Sequence, residues 1–91
     1  MYFDVKHADR TGHQVKLQFE DGSTGNVDLR KYIHGGTVFE KLNDPRYLAT
    51  MRIEYGALVW GDGEVDVAPE ALYEEATGRP IDYTKRDRAV S

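Results

Sequence analysis

The sequence predicts an α+β fold: two antiparallel β-meanders (strand, strand, short strand), each followed by a helix, with short helices between the halves. Three observations predict it. Val15, Leu17 and Phe19 alternate with Gln14, Lys16, Gln18 and Glu20, the period of a strand buried on one face. An Asp-Gly pair follows an aromatic-ended strand in each half, Asp21-Gly22 after Phe19 and Asp62-Gly63 after Trp60, and such pairs mark hairpin turns. A short apolar strand and a helix start then follow, through Val27-Asp28-Leu29 in one half and Val65-Asp66-Val67 in the other. At 91 residues the chain is one domain. Residues 1–80 are expected to form it, with a polar tail over 81–91.

The elements follow in order. Residues 2–8 alternate, with Phe3 and Val5 on one face and Asp4 and Lys6 on the other, and Asp9-Arg10-Thr11-Gly12 is expected to turn the chain. The strand over residues 14–20 comes next, then a third strand over 24–29, with Gly25 a candidate bulge. Asp28 can N-cap a short helix through Leu29, Tyr32 and Ile33, which Gly35-Gly36 is expected to end. Thr37 caps a turn carrying Val38, Phe39 and Leu42. Asp44-Pro45 opens another helix, a capping carboxylate followed by proline at the first helical position, and Leu48 is its buried residue.

In the second half Met51, Ile53 and Tyr55 alternate with Arg52 and Glu54, and Gly56 turns into a strand over 57–60. Val65 and Val67 make the third strand. Ala68-Pro69-Glu70 starts the last helix, with a buried stripe of Leu72, Tyr73 and Ala76 and a stop at Gly78 and Pro80. Trp60 shares parity with Leu58, so both are expected to face the core, covered by that stripe. From Ile81 the chain is polar and without period, a tail ordered only where Ile81 and Tyr83 find a groove, and mobile over 84–91.

Several of these residues also carry a family likeness. Leu17-x-Phe19-x-Asp21-Gly22, Gly25-x-Val27-Asp28-Leu29, Leu42-x-Asp44-Pro45, Trp60 with Asp62-Gly63, and Asp66-x-Ala68-Pro69-x-x-Leu72-Tyr73 resemble the small bacterial family catalogued as domain of unknown function 2442. The resemblance runs from about Phe3 to Glu75. It implies a compact α+β domain, found alone or ahead of a helix-turn-helix domain. It also implies similarity to proteins encoded beside another small protein, in toxin–antitoxin or regulatory pairs. It carries over no activity.

Charge is unevenly spread. Residues 1–53 carry a net +1, residues 54–75 carry seven acids and no Lys or Arg, and residues 76–91 carry +2, for a total of −4. A body with such a block is a poor duplex binder, because nucleic-acid affinity comes mostly from neutralised phosphates. It suits a basic partner, or is simply a solvated face. There is no cysteine, so no disulfide, thiolate metal site or thiol nucleophile. No apolar run reaches transmembrane length and no secretory signal opens the sequence, so a cytoplasmic address and no membrane partner are expected.

No catalytic constellation stands out. Gly35-Gly36 lacks the pattern and lysine of a phosphate loop. His7 and His13 flank one turn without a third ligand nearby. Ser23 and Ser91 sit in no nucleophile elbow. Asp62-x-Glu64-x-Asp66 resembles part of a calcium loop, but Val67 and Tyr73 stand where that loop needs glycine and a carboxylate. No catalytic residue, cofactor or metal site is therefore expected. The leading expectation is a binding or regulatory module acting through contact with another protein, with Tyr32, Tyr47, Glu64, Asp66, Glu70 and Glu74 as its candidate partner surface. Tyr83 is a further interface candidate. A nucleic-acid-associated component, using Lys85, Arg86 and Arg88 with a DNA-binding partner, is the alternative. Direct nucleic-acid binding by the chain alone is not expected. A metal-dependent hydrolase built on Asp62, Glu64, Asp66 and Glu70 ranks third, and a homodimer stays open.

Overall fold

β2 (Gln14–Phe19) is the middle strand of an antiparallel sheet ordered β1-β2-β3, where β1 spans Val5–Thr11 and β3 spans Thr24–Asp28. The structure is a computed structural model in which residues 1–84 are described. Val15, Leu17 and Phe19 point into the core, and Val27 joins them from β3 opposite Val15. A second sheet, ordered β4-β5-β6, is built from β4 (Arg52–Glu54), β5 (Ala57–Trp60) and β6 (Val65–Val67). Leu58 pairs with Val67 and Trp60 with Val65, so one face of this sheet is apolar. Two 3₁₀ turns, Leu29–Tyr32 and Val38–Asn43, and the single-turn helix α1 (Pro45–Leu48) connect the sheets. Helix α2 (Pro69–Thr77) follows β6. The architecture is α+β, two three-stranded meanders with helix after each.

Local chemistry sets the ends of these elements. Asp28 and Asp44 each accept a hydrogen bond from the backbone N–H two residues on, at 3.0 and 2.9 Å, relieving unpaired donors at the starts of their turns. Pro45 and Pro69 stand at the first turn of their helices. Gly78 ends α2 in the left-handed region at φ 71°.

Five sequence expectations are corrected. The chain does not turn at Asp9-Arg10-Thr11. Those residues continue β1, paired with Lys16, Val15 and Gln14, and the turn is Gly12-His13. A continuous ladder satisfies backbone groups that a turn four residues long would leave to water. Gly25 is not a bulge. It pairs in register with Leu17, and the irregular step lies between Val5 and His7. Glycine is required there because α2 crosses so closely that a Cβ would lie 2.2 Å from the carbonyl oxygen of Ala76. The first short helix stops at Tyr32, before Gly35-Gly36, because Ile33 is already extended.

The alternating strand expected from Met51 to Tyr55 is shorter, and β4 ends at Glu54 before Tyr55. Tyr55 sits at the hairpin tip with φ 51° and is 98% exposed, while Ile53 shares a face with Leu58 but lies exposed at the sheet margin. Lastly, α2 packs chiefly against β3 of the first sheet rather than over Trp60. Trp60 is nevertheless fully buried.

The two sheets meet where the N–H of Val5 donates to the carbonyl of Gly56 at 2.9 Å, and β1 lies beside β4. Leu29, Leu42, Leu48 and Leu72 fill one shared core with the inward strand residues. Residues 81–84 fold back onto it. Ile81 packs against the core, the Asp82 N–H donates to the Tyr2 hydroxyl at 2.9 Å, and the Tyr83 ring meets Phe3 edge-on at 6.3 Å. The mobility expected over 84–91 falls almost wholly outside the described residues, as do Lys85, Arg86 and Arg88.

Candidate functional site

Two tyrosines, each on a helix that reaches across to the other half, clamp the two Asp-Gly turns. Tyr73 on α2 donates its hydroxyl to Asp21 Oδ2 at 2.8 Å. The Ser23 N–H donates to the other carboxylate oxygen at 2.8 Å. Arg79 donates to Ser23 Oγ at 2.6 Å and places its guanidinium 5.5 Å from the Tyr73 ring centre. The ring itself stands edge-on to Phe19 at 5.0 Å and to Tyr2 at 5.4 Å. Burial pulls the Asp21 carboxyl up, but the Ser23 N–H, the Tyr73 hydroxyl and Arg79 together hold it below the ordinary aspartate value.

The second clamp repeats these parts. Tyr47 on α1 sets its hydroxyl 3.4 Å from the Trp60 carbonyl oxygen and beside Glu64. Lys41 lies 3.7 Å from Glu64 and 5.6 Å from the Tyr47 ring centre. Burial, then the neighbouring Glu64 carboxylate, pushes the Tyr47 phenol up to about 12. Glu64 is held below its ordinary value, first by its own backbone N–H and then by the Tyr47 hydroxyl. The Thr50 hydroxyl accepts from the Gly61 N–H at 2.8 Å and Arg52 donates to the Gly61 carbonyl at 2.6 Å, fixing the turn from the same side.

These contacts sort the candidate partner residues. Tyr47 and Glu64 come together and are engaged with each other. Tyr32 lies apart from them, half-buried against Phe39 at 6.4 Å. Its phenol is pushed up by burial and by Glu75. Glu74 accepts from the Ile81 N–H at 3.1 Å, and Glu75 pairs with Lys31. Asp66 is exposed on β6, and Glu70 stands in the first turn of α2. Among the described residues the carboxylates of Asp62, Asp66 and Glu70 make no ion pair or hydrogen bond.

Chemistry of other kinds is sparse among the described residues. His7 stands opposite Gln18, while His13 sets Nε2 2.9 Å from the Leu42 carbonyl oxygen, so the two do not face each other. No three His, Asp or Glu side chains converge to hold a metal ion. No helix is long and apolar enough to cross a membrane.

Two features were not singled out from the sequence. One is an open groove of about 510 Å³ on the first sheet, lined by His7, Asp9, Lys16, Gln18 and Thr24 among others. His7, Asp9, Lys16, Gln18 and Thr24 are outward members of β1, β2 and β3, which the alternation alone could have assembled, and Ala8 and Leu17 complete the lining. The other is Tyr55, whose signal was Tyr55-Gly56 between two strands, a two-residue turn with an aromatic at its first position.

Comparison with known proteins adds one finding. Residues 4–78 match the model of a family described as protein of unknown function, DUF2442. No curated protein and no solved structure matches the chain. The match covers both meanders, helix α2 and both clamps except Arg79. The chain belongs to the DUF2442 family.

Proposed function

We propose that the protein is a non-catalytic binding or regulatory module that works by contact with another protein, in the cytoplasm. The observation that carries this reading is the division among its acids. Asp21 and Glu64 are tied into the clamps that hold the fold, whereas Asp62, Asp66 and Glu70 project with no partner of their own among the described residues. Unpaired carboxylates at the surface of a small domain attract a basic partner and speed its approach. The family's resemblance to one half of paired small proteins points to a neighbouring gene product, in a regulatory or toxin–antitoxin pair.

The test is co-expression with that neighbour, followed by gel filtration. Co-elution that weakens with salt and is lost in the Asp66→Lys, Glu70→Lys double variant supports the reading. Separate elution at low salt, with the wild-type chain folded, overturns it.

A further inference from the structure

We infer that β1 pairs with β1 of a second copy of the chain, edge to edge and antiparallel about a twofold axis at Ala8, so that the two first sheets become one. This concerns a surface apart from the projecting acids and does not rest on the role proposed above.

The register of the ladder leaves the edge open. The Phe19 N–H donates to the Ser23 carbonyl at 2.9 Å, and past the other end of β2 the His13 carbonyl accepts from the Leu29 N–H at 2.8 Å. Successive residues of an antiparallel strand bond to opposite neighbours. Val15, Leu17 and Phe19 thus direct their peptide groups to β3, and Gln14, Lys16 and Gln18 direct theirs to Thr11, Asp9 and His7. Ala8 and Arg10, opposite Leu17 and Val15, therefore hold their N–H and C=O groups out from the sheet. β1 is an edge strand, and among the described residues no hydrogen bond reaches these groups. Such an edge is a template for another strand unless it is blocked. It is blocked only at its ends, where the Gly56 carbonyl takes the Val5 N–H and where the chain turns at Gly12-His13.

The open stretch runs from Lys6 to Arg10, and Ala8 is its midpoint, which selects the occupant. With the axis there, each residue of the stretch meets one from the same stretch of the other copy. Ala8 exchanges two hydrogen bonds with its counterpart, and its small side chain lets the strands close. His7 faces Asp9 of the other copy, twice, on the outer face of the sheet, in the closely spaced non-bonded pairs where side chains interact most. Both are exposed, and Asp9 forms no ion pair among the described residues, even with Lys16 across from it on β2. Moving the axis to Asp9 would instead set two carboxylates face to face. Lys6 meets Arg10 at the ends of the stretch. There the irregular step between Val5 and His7 leaves Lys6 out of the ladder, and Arg10 is engaged with the Gly12 carbonyl at 2.9 Å.

Sedimentation velocity of the full chain over a range of concentrations tests this, and a monomer–dimer equilibrium is expected. Ala8→Pro removes an N–H that points away from β2, a change an edge strand tolerates. It should weaken the dimer by about tenfold or more, the loss of two hydrogen bonds, with the circular dichroism unchanged. Asp9→Lys and His7→Asp should each weaken it as well, and an equimolar mixture of those two variants should recover it, because opposite charges then face each other across the mixed pair. The charge variants decide the matter should Ala8→Pro fail to fold. A wild type that stays monomeric at its highest soluble concentration, a dimer that a folded Ala8→Pro leaves intact, or no recovery on mixing would each overturn the inference.

Discussion

The Tyr73 hydroxyl donates to Asp21 Oδ2 at 2.8 Å, joining the last helix to the first Asp-Gly turn. Tyr47 stands in the matching position on the second turn, beside Glu64, with Lys41 in place of Arg79 near the ring. The repeat of strands and turns visible in the sequence therefore extends to a repeat of side-chain clamps, each made by the other half's helix.

Tyr73→Phe keeps the ring contacts and removes the hydrogen bond. The expected cost is about 1 kcal/mol, because the carboxylate acceptor is charged but largely hydrated. Since Asp21 is held below its ordinary value, its contribution is complete above that value and is lost as pH falls through the lower folded one. Denaturant melts of the variant and wild type should therefore converge as the medium becomes acidic. A constant gap at every pH would contradict the role of the carboxylate.

Gly25→Ala places a methyl group 2.2 Å from the Ala76 carbonyl oxygen. Overpacking of this kind costs about 1–3 kcal/mol, and backbone cannot move aside as a flexible side chain can. A second change, Ala76→Gly, should not rescue it, because the carbonyl stays in place. Thermal melts of both variants check this.

Trp60→Ala removes the largest fully buried side chain. A loss of about 3–5 kcal/mol is expected, against a total of about 5 kcal/mol or a little more for a domain this small. Near-complete unfolding by circular dichroism is the expected outcome. A near-native melt would show that the core does not depend on this residue.

Tyr55→Gly should stabilise the fold. A left-handed backbone costs a non-glycine residue about 1–2 kcal/mol, of which the greater freedom of unfolded glycine returns about half. A rise in melting temperature is the readout, and a fall would show that the ring contributes packing to the isolated chain.

Asp28 should titrate at about 2 by NMR, held down first by the Arg30 side chain and then by the Arg30 backbone N–H. Arg30→Ala should move it part of the way back toward 3.8, since the backbone N–H remains. Its contribution to stability is present above that ordinary value and is lost as pH falls through about 2. An unshifted titration in wild type would mean that the pair is broken in solution.

Much of the fold was legible because local rules and tertiary packing agree. The alternation about Leu17, the caps at Asp28 and Asp44 and the stop at Gly78 each satisfy a nearby backbone group or one face of one element. What was not legible depends on partners distant in sequence. Gly25 reads as a bulge until α2 is known to cross it. Arg10 reads as a turn residue until Val15 is known to pair with it. Tyr55 fits the alternation of β4, and only the geometry of a two-residue turn turns it outward. For the candidate site, the sequence supplied the acids but could not tell those consumed by the clamps from those left projecting.

The crossing of helices between halves has a consequence for synthesis. The first sheet is complete in sequence by Asp28, yet its covering helix begins only at Pro69. Throughout the intervening translation the apolar face of Val15, Leu17, Phe19 and Val27 lacks the element that seals it. The nascent chain is therefore a client for whatever shields hydrophobic surface at the ribosome exit, and neither half, expressed as a fragment, carries its own lid.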